Sequence, residues 1–215
     1  MKVLVVGANG QIGRHLVRLL SNSREHEVRA MVRNDEQAQF FQEQGVETVV
    51  ADLEGTVEEI RKAAEGCEAI VFTAGSGSHT GPDKTILVDL DGAVKTIEAA
   101  EQANIKRFIM VSALSAHIRE KWREGIKHYF AAKHYADRML MSSQLNYTII
   151  RPGRLLNEPG TGKISVGEQL ERGSIPREDV AATIVASLNE ENTLKRGFDV
   201  ISGETPITDA LKNMS

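Results

Sequence analysis

Three glycines, Gly7, Gly10 and Gly13, stand three residues apart in "GANGQIG", directly after the apolar run "VLVV" and at the start of "QIGRHLVRLL". Glycine has no Cβ, so a cluster of glycines where a strand meets a helix permits a tight turn and lets another molecule lie against the backbone. A helix N-terminus at that point offers free N–H groups and a partial positive charge, which suits a pyrophosphate. In that reading Gly7 permits the turn, Gly10 removes an obstruction to the ligand, and Gly13 lets the helix pack closely on the strand. Asn9, Gln11 and Ile12 complete the loop that would cradle the ligand.

A second position decides between nucleotides. An acid about 20 residues beyond the last glycine would take the ribose 2′-hydroxyl of NAD, whereas a base accommodates the 2′-phosphate of NADP. The run "EVRAMVR" ends on Arg33, followed by Asn34, a hydrogen-bonding residue and helix cap, and Asp35 comes one or two positions late for the ribose acid. The expected cofactor is therefore NADP rather than NAD. Asp52, in "ADL", is placed to accept from the adenine amino group beside Leu53, which would pack on the ring. Thr73, Ala74 and Gly75, in "FTAGSG", are small enough to let a cofactor lie across a sheet edge.

Such residues need a frame that gathers several strand ends. "KVLVVGA", "EVRAMVR", "ETVVADL", "AIVFTAG", "RFIMVSA" and "YTIIRPG" are nearly continuous in apolar character, the pattern of strands buried on both faces. Helix-like stretches alternate with them, among them "QIGRHLVRLLSN", where Ile12, Leu16, Leu19 and Leu20 share a face. The alternation predicts an α/β protein with a Rossmann-type, doubly wound parallel sheet. After Ile150 the glycine-rich "RPGRLLNEPGTGKISVGEQLERGS" reads as a long loop or short hairpin. "SIPREDVAATIVASLNEEN" reads as a helix with Pro176 near its first turn and Glu178 and Asp179 at its positive end. "GFDVISG" is a last strand. One domain is expected over residues 1–215, with 151–215 adding a small extension on the substrate side.

The bulk numbers narrow the classes. A net charge of −4 provides no basic field for nucleic acid. No run approaches the roughly 20 apolar residues of a membrane span. The lone Cys67 begins an apolar strand and reads as a buried thiol, which fits the cytoplasm. His128 and His134 fall on different helix faces, and no His, Cys or carboxylate spacing suggests a metal.

Taken together, "GANGQIG", Arg33, "ADL", "TAG", "VSA", "YFAAK", "RPG" and "REDVA" resemble the short-chain dehydrogenase/reductase superfamily, in particular its atypical NAD(P)-binding members of the biliverdin reductase B and NmrA-like kind. The resemblance covers most of the chain and implies a catalytic Ser, Tyr and Lys. "YFAAK" supplies Tyr129 and Lys133 on one helix face. The ammonium would lower the phenol pKa by favouring phenolate, and Lys133 would also reach the nicotinamide ribose. Ser112, ending "FIMVS", would hold the substrate oxygen, and Pro152 in "RPG" would border the cofactor. Where superfamily members carry Asn in N-x-x-G, this chain has "DLDG" with Asp89. His79 and His117 are loop residues that could donate to an anionic group. The resemblance implies reduction of a small carbonyl or conjugated acceptor by NADP(H), with a small-molecule substrate and a homodimer paired through helices. A non-catalytic NADP(H) sensor is the runner-up. A sugar-nucleotide epimerase fits the glycines but leaves only about 60 residues for a substrate domain.

Overall fold

In the computed structural model, which describes residues 1–77 and 79–214, the strands owe their unbroken apolar character to two-sided burial. The chain runs β1 (Lys2–Val6), α1 (Gln11–Ser21), β2 (Glu27–Val32), α2 (Asp35–Gln42), β3 (Glu47–Val50), α3 (Val57–Ala63) and β4 (Ala69–Phe72). In β1, Val3 and Val5 enter one core while Leu4 and Val6 enter the other, so neither face leaves room for a polar residue. The next crossover is α4 (Pro82–Lys84), a π-helical stretch over Thr85–Gly92, and α5 (Ala93–Gln102), which leads into β5 (Arg107–Val111). The sequence reads as one regular helix here, and the wider π turns are a departure from it. Next come α6 (Lys127–Ser142), β6 (Asn146–Pro152), β7 (Arg154–Leu156), β8 (Lys163–Gly167), β9 (Ser174–Pro176) and α7 (Arg177–Leu188). Last are β10 (Arg196–Ser202), β11 (Thr205–Pro206) and α8 (Ile207–Lys212).

The nine-stranded sheet has the order β11-β8-β10-β6-β5-β4-β1-β2-β3. Strands from β3 through β10 are parallel, so their carboxyl ends share one edge and the order reverses between β1 and β4. That reversal opens a crevice outside the strand ends. One core packs α1, α2, α7 and α8 against the sheet, and the other packs α3, α5 and α6. Phe41, Phe72, Phe108 and Phe198 are among the fully buried side chains, each adding about 2–3 kcal/mol relative to exposure. No helix of the described residues is long and apolar enough to cross a membrane.

The segment expected to be a loop or short hairpin is more ordered than that. β8 pairs antiparallel with β10, β11 pairs with β8, and β7 pairs in parallel with β9. The anticipated helix end at Pro176 is met: Pro176 precedes α7, and Glu178 and Asp179 accept from the N–H groups of Gly160, Thr161 and Gly162. These acids therefore fasten the preceding loop to the helix.

Gly7 and Gly45 separate two costs of a missing Cβ. Gly7 has φ +84° and a Cβ there would lie 2.6 Å from Ala74 Cα, whereas Gly45 has φ +75° with nothing nearby. We expect Gly7→Ala to lower unfolding stability by about 3 kcal/mol or more, strain and collision together, and Gly45→Ala by about 1 kcal/mol, strain alone. Chemical denaturation of the two variants measures the difference; equal losses would contradict the close approach of the two strand ends.

Candidate active site

The crevice is built by what its residues lack. Gly10 caps α1 with no side-chain hydrogen bond, and α1 has no acid in its first turn. A Cβ on Gly10 would meet only the Gly7 carbonyl, at 3.2 Å, and one on Gly13 would collide with the carbonyls of Gly7 and Ala8. The helix therefore starts hard against β1 with its positive end bare, a cradle that fits a diphosphate. Gln11 is exposed at this mouth, and Ile12 is buried beneath it. Thr73 donates its hydroxyl to the carbonyls of Val6 and Gly7 (3.0 and 3.3 Å), so it braces the turn rather than facing a ligand.

Arg33 is exposed just beyond β2 and forms no ion pair among the described residues. Asn34 caps α2 as expected, accepting from Gln37 N–H. Arg14 is a residue the sequence reading missed. Its guanidinium donates to Asn9 Oδ1 (2.8 Å) and lies 4.5 Å from the centre of the Phe40 ring, bridging the glycine loop to α2. The available signal was a base one position past the last glycine. Asp52 is exposed and accepts from Glu54 N–H. Leu53, expected to pack on a base, is instead 8% exposed and built into the core against Gly92, so little of it can face a ring.

At the other strand ends, Ser112 follows β5, and Tyr129 and Lys133 share a face of α6. The structure places Lys133 in a buried ion pair. Its ammonium is 4% exposed as a residue, lies 3.3 Å from Asp89 Oδ1, and donates to the Val111 carbonyl at 3.4 Å. It is thus paired inside the protein. Asp89 Oδ2 accepts from Ser76 N–H at 2.9 Å, and a Cβ on Gly75 would crowd Asp89 Oδ1, so the acid also fixes the loop leaving β4. Burial opposes charge on Lys133, but Asp89 outweighs it and the lysine pKa is raised.

Tyr129 is corrected in the opposite sense from the phenolate expectation. Burial raises its pKa, Lys133 pulls it down from 5.8 Å, and Asp89 and Asp137 push it up, leaving the phenol above its ordinary value. Burial first, and then the Asp89 and Asp137 carboxylates, outweigh the pull of the ammonium on the phenol.

These residues belong to a longer buried series. Asp137, one turn beyond Lys133, pairs with Arg151 at 2.8 Å, and Asp199 adjoins Arg151 in the β6–β10 register. Asp89, Lys133, Asp137, Arg151 and Asp199 thus alternate in sign across four elements, each at most 4% exposed. Burial raises Asp137, against the pull of Arg151 and the nearby Ser112 hydroxyl. Ser112 Oγ itself is buried and meets no partner at full hydrogen-bonding geometry. A Cβ on Gly197 would strike the Arg151 guanidinium, so this glycine makes room for the ion pair.

Ser112, Tyr129 and Pro152 line a cleft of about 620 Å³. Trp122, Phe130, Leu155 and Leu170 make its walls apolar, with Trp122 and Phe130 stacked at 6.3 Å. A larger depression of about 1020 Å³ lies between β8, β10 and α8 and holds none of the candidate residues. His117, expected to donate to an anion, is half-buried with its pKa lowered to about 4, by burial and then by Arg151, and so stays neutral. His79 is exposed. Cys67 is buried with a raised thiol pKa, as its apolar setting demands. No metal-binding cluster occurs among the described residues.

The sequence profile of the NAD(P)H-binding family matches residues 7–191. The chain is 60% identical to the "uncharacterized sugar epimerase YhfK" of Bacillus subtilis, over all of both chains. Among solved structures, it matches the oxidoreductase ylbE of Lactococcus lactis with 35% identity and a TM-score of 0.90, covering 99% of this chain and 95% of that one. ChuY, an anaerobilin reductase of Escherichia coli O157:H7, matches with 26% identity and a TM-score of 0.82, covering 95% of this chain and 98% of that one. With its bare glycine cradle and its mostly parallel sheet, the chain belongs to the NAD(P)H-binding family as an atypical member of the short-chain dehydrogenase/reductase-like Rossmann proteins.

Proposed function

We propose that the protein is an NADPH-dependent reductase of a small conjugated or carbonyl acceptor. The observation that carries this reading is the Tyr129 phenol on the wall of an apolar cleft, beside Ser112, at the same sheet edge as the glycine cradle. The family supplies the nucleotide, and the relatives include reductases. The exposed guanidinium of Arg33, with Arg14 close to the same loop, favours a 2′-phosphate over a bare ribose.

When bound, the nicotinamide supplies a hydride to the acceptor. Tyr129 donates its proton to the atom that gains electron density and is reprotonated from solvent. NADPH, the acceptor and one proton thus become NADP⁺ and the two-electron-reduced acceptor. Ser112 Oγ hydrogen-bonds the acceptor oxygen as charge develops there. Lys133 and Asp89 hold α6 and the loop after β4 in register, and the Asp89 carboxylate offsets the pull of the ammonium on the phenol. The name of the Bacillus relative would call for an NAD-type ribose site and a nucleotide-sugar pocket; Arg33 and the aromatic walls favour a reductase.

Fluorescence titration of the nucleotides tests the cofactor. NADPH should bind at least about tenfold more tightly than NADH, and Arg33→Glu should narrow or reverse the preference. Equal affinities would remove the 2′-phosphate argument. Turnover is tested with quinones, flavins and aldehydes as acceptors. Tyr129→Phe should lower kcat by about 10²-fold or more, and an unaffected rate would favour direct hydride transfer without tyrosine acid catalysis.

The pH profile tests the proton donor. A protonated Tyr129 predicts kcat/KM that is flat through neutral pH, with an alkaline limb whose midpoint lies above the ordinary value of 10.0. Asp89→Asn removes a carboxylate that raises the phenol and should move this alkaline limb to lower pH. A limb that stays in place would mean that Asp89 has only a structural role.

A further inference from the structure

We propose that the cleft selects acceptors whose flat apolar body carries a carboxylate. The inference rests on reading the cleft as the acceptor site and adds the chemical class of molecule it admits. Lys121, Arg123, Arg154 and Arg172 all line it, together with Glu120 and Glu171. None of these six forms an ion pair among the described residues. Elsewhere on the molecule carboxylates close on nearby cations: Glu47 takes both Lys2 and Arg29, and Glu58 takes both Arg61 and Lys62. Around the cleft, two acids are at hand and the four cations remain open.

The excess of positive charge also runs against the whole molecule, whose net charge is −4. The cations reach one opening from three separate parts of the chain: the loop before α6, strand β7, and the loop before β9. They are not placed for the nucleotide's phosphates, whose cradle follows β1 and β2 on the other side of β4 in the sheet. Apolar walls weaken solvent screening of the charges beside them, and Arg presents a fork that matches a carboxylate. The apolar walls therefore take the conjugated body while the guanidinium groups take the anion.

Trp122, the chain's single tryptophan, is a cleft-wall residue and reports occupancy directly. The probes are anthraquinone-2-carboxylate and anthraquinone-2-carboxamide, the same conjugated ring with and without charge. Titrated without nucleotide, the carboxylate should quench Trp122 at about tenfold lower concentration than the carboxamide, and salt should erode the difference. The double variant Arg154→Gln/Arg172→Gln should bring the two probes within about threefold of each other while leaving carboxamide binding unchanged, which also verifies folding. Arg24→Gln, in the loop between α1 and β2, is the charge control and should change neither.

Equal binding of the probes to the wild-type protein, a preference that survives both salt and the double variant, or failure of both to quench Trp122 would overturn the proposal. NADPH oxidation with the same pair keeps the two readings apart. Selective binding without turnover would sink the reductase and leave anion selection standing. Equal binding with turnover of both would do the reverse.

Discussion

The alternating buried charges Asp89, Lys133, Asp137, Arg151 and Asp199 are the constraint on which the site depends. Taking any one of them out of water alone would be costly, and removing a partner leaves an uncompensated charge at a cost of about 3–5 kcal/mol. Within it Lys133 pairs with Asp89 and Arg151 with Asp137, and Asp199 lies beside Arg151 in the strand register. The series therefore fixes how the π stretch, α6, β6 and β10 meet. Acids outnumber bases in it, and that imbalance acts on the phenol that borders it.

The two halves of this sheet edge are built by opposite means. At β1 the protein withdraws side chains: Gly7 and Gly13 allow backbone to approach backbone, and Gly10 leaves the first amides of α1 uncovered. At β5 and β6 it adds them, with stacked aromatic walls and a ring of open cations. Asp89 joins the two halves, since one of its oxygens holds the loop after β4 and the other holds Lys133.

Much of the fold was legible because two-sided burial leaves a plain trace in sequence. The runs around Val3–Val6 and Phe108–Val111 could be read as strands without knowledge of their neighbours, and the glycine spacing located the crevice. The features that escaped depend on neighbours far away in the chain. β8 is a strand because β10, about 35 residues later, offers an antiparallel edge. Arg151 finds Asp137 only once β6 lies beneath α6. Helical spacing rightly placed Tyr129 beside Lys133, but the phenolate inference counted one ammonium and omitted the carboxylate that Asp89 brings from another segment. Asp137, four residues beyond Lys133, was the available hint of a charged helix face.

The central claim is that this interior keeps Tyr129 neutral and so makes it a donor of protons. Tyrosine labelled with ¹³C at Cζ reports ionisation of each phenol directly by NMR, and the Tyr129→Phe spectrum identifies the resonance. The account predicts that the Tyr129 signal stays at the phenol position through neutral pH and titrates with a midpoint above the ordinary value of 10.0. A phenolate shift at or near neutral pH would contradict it.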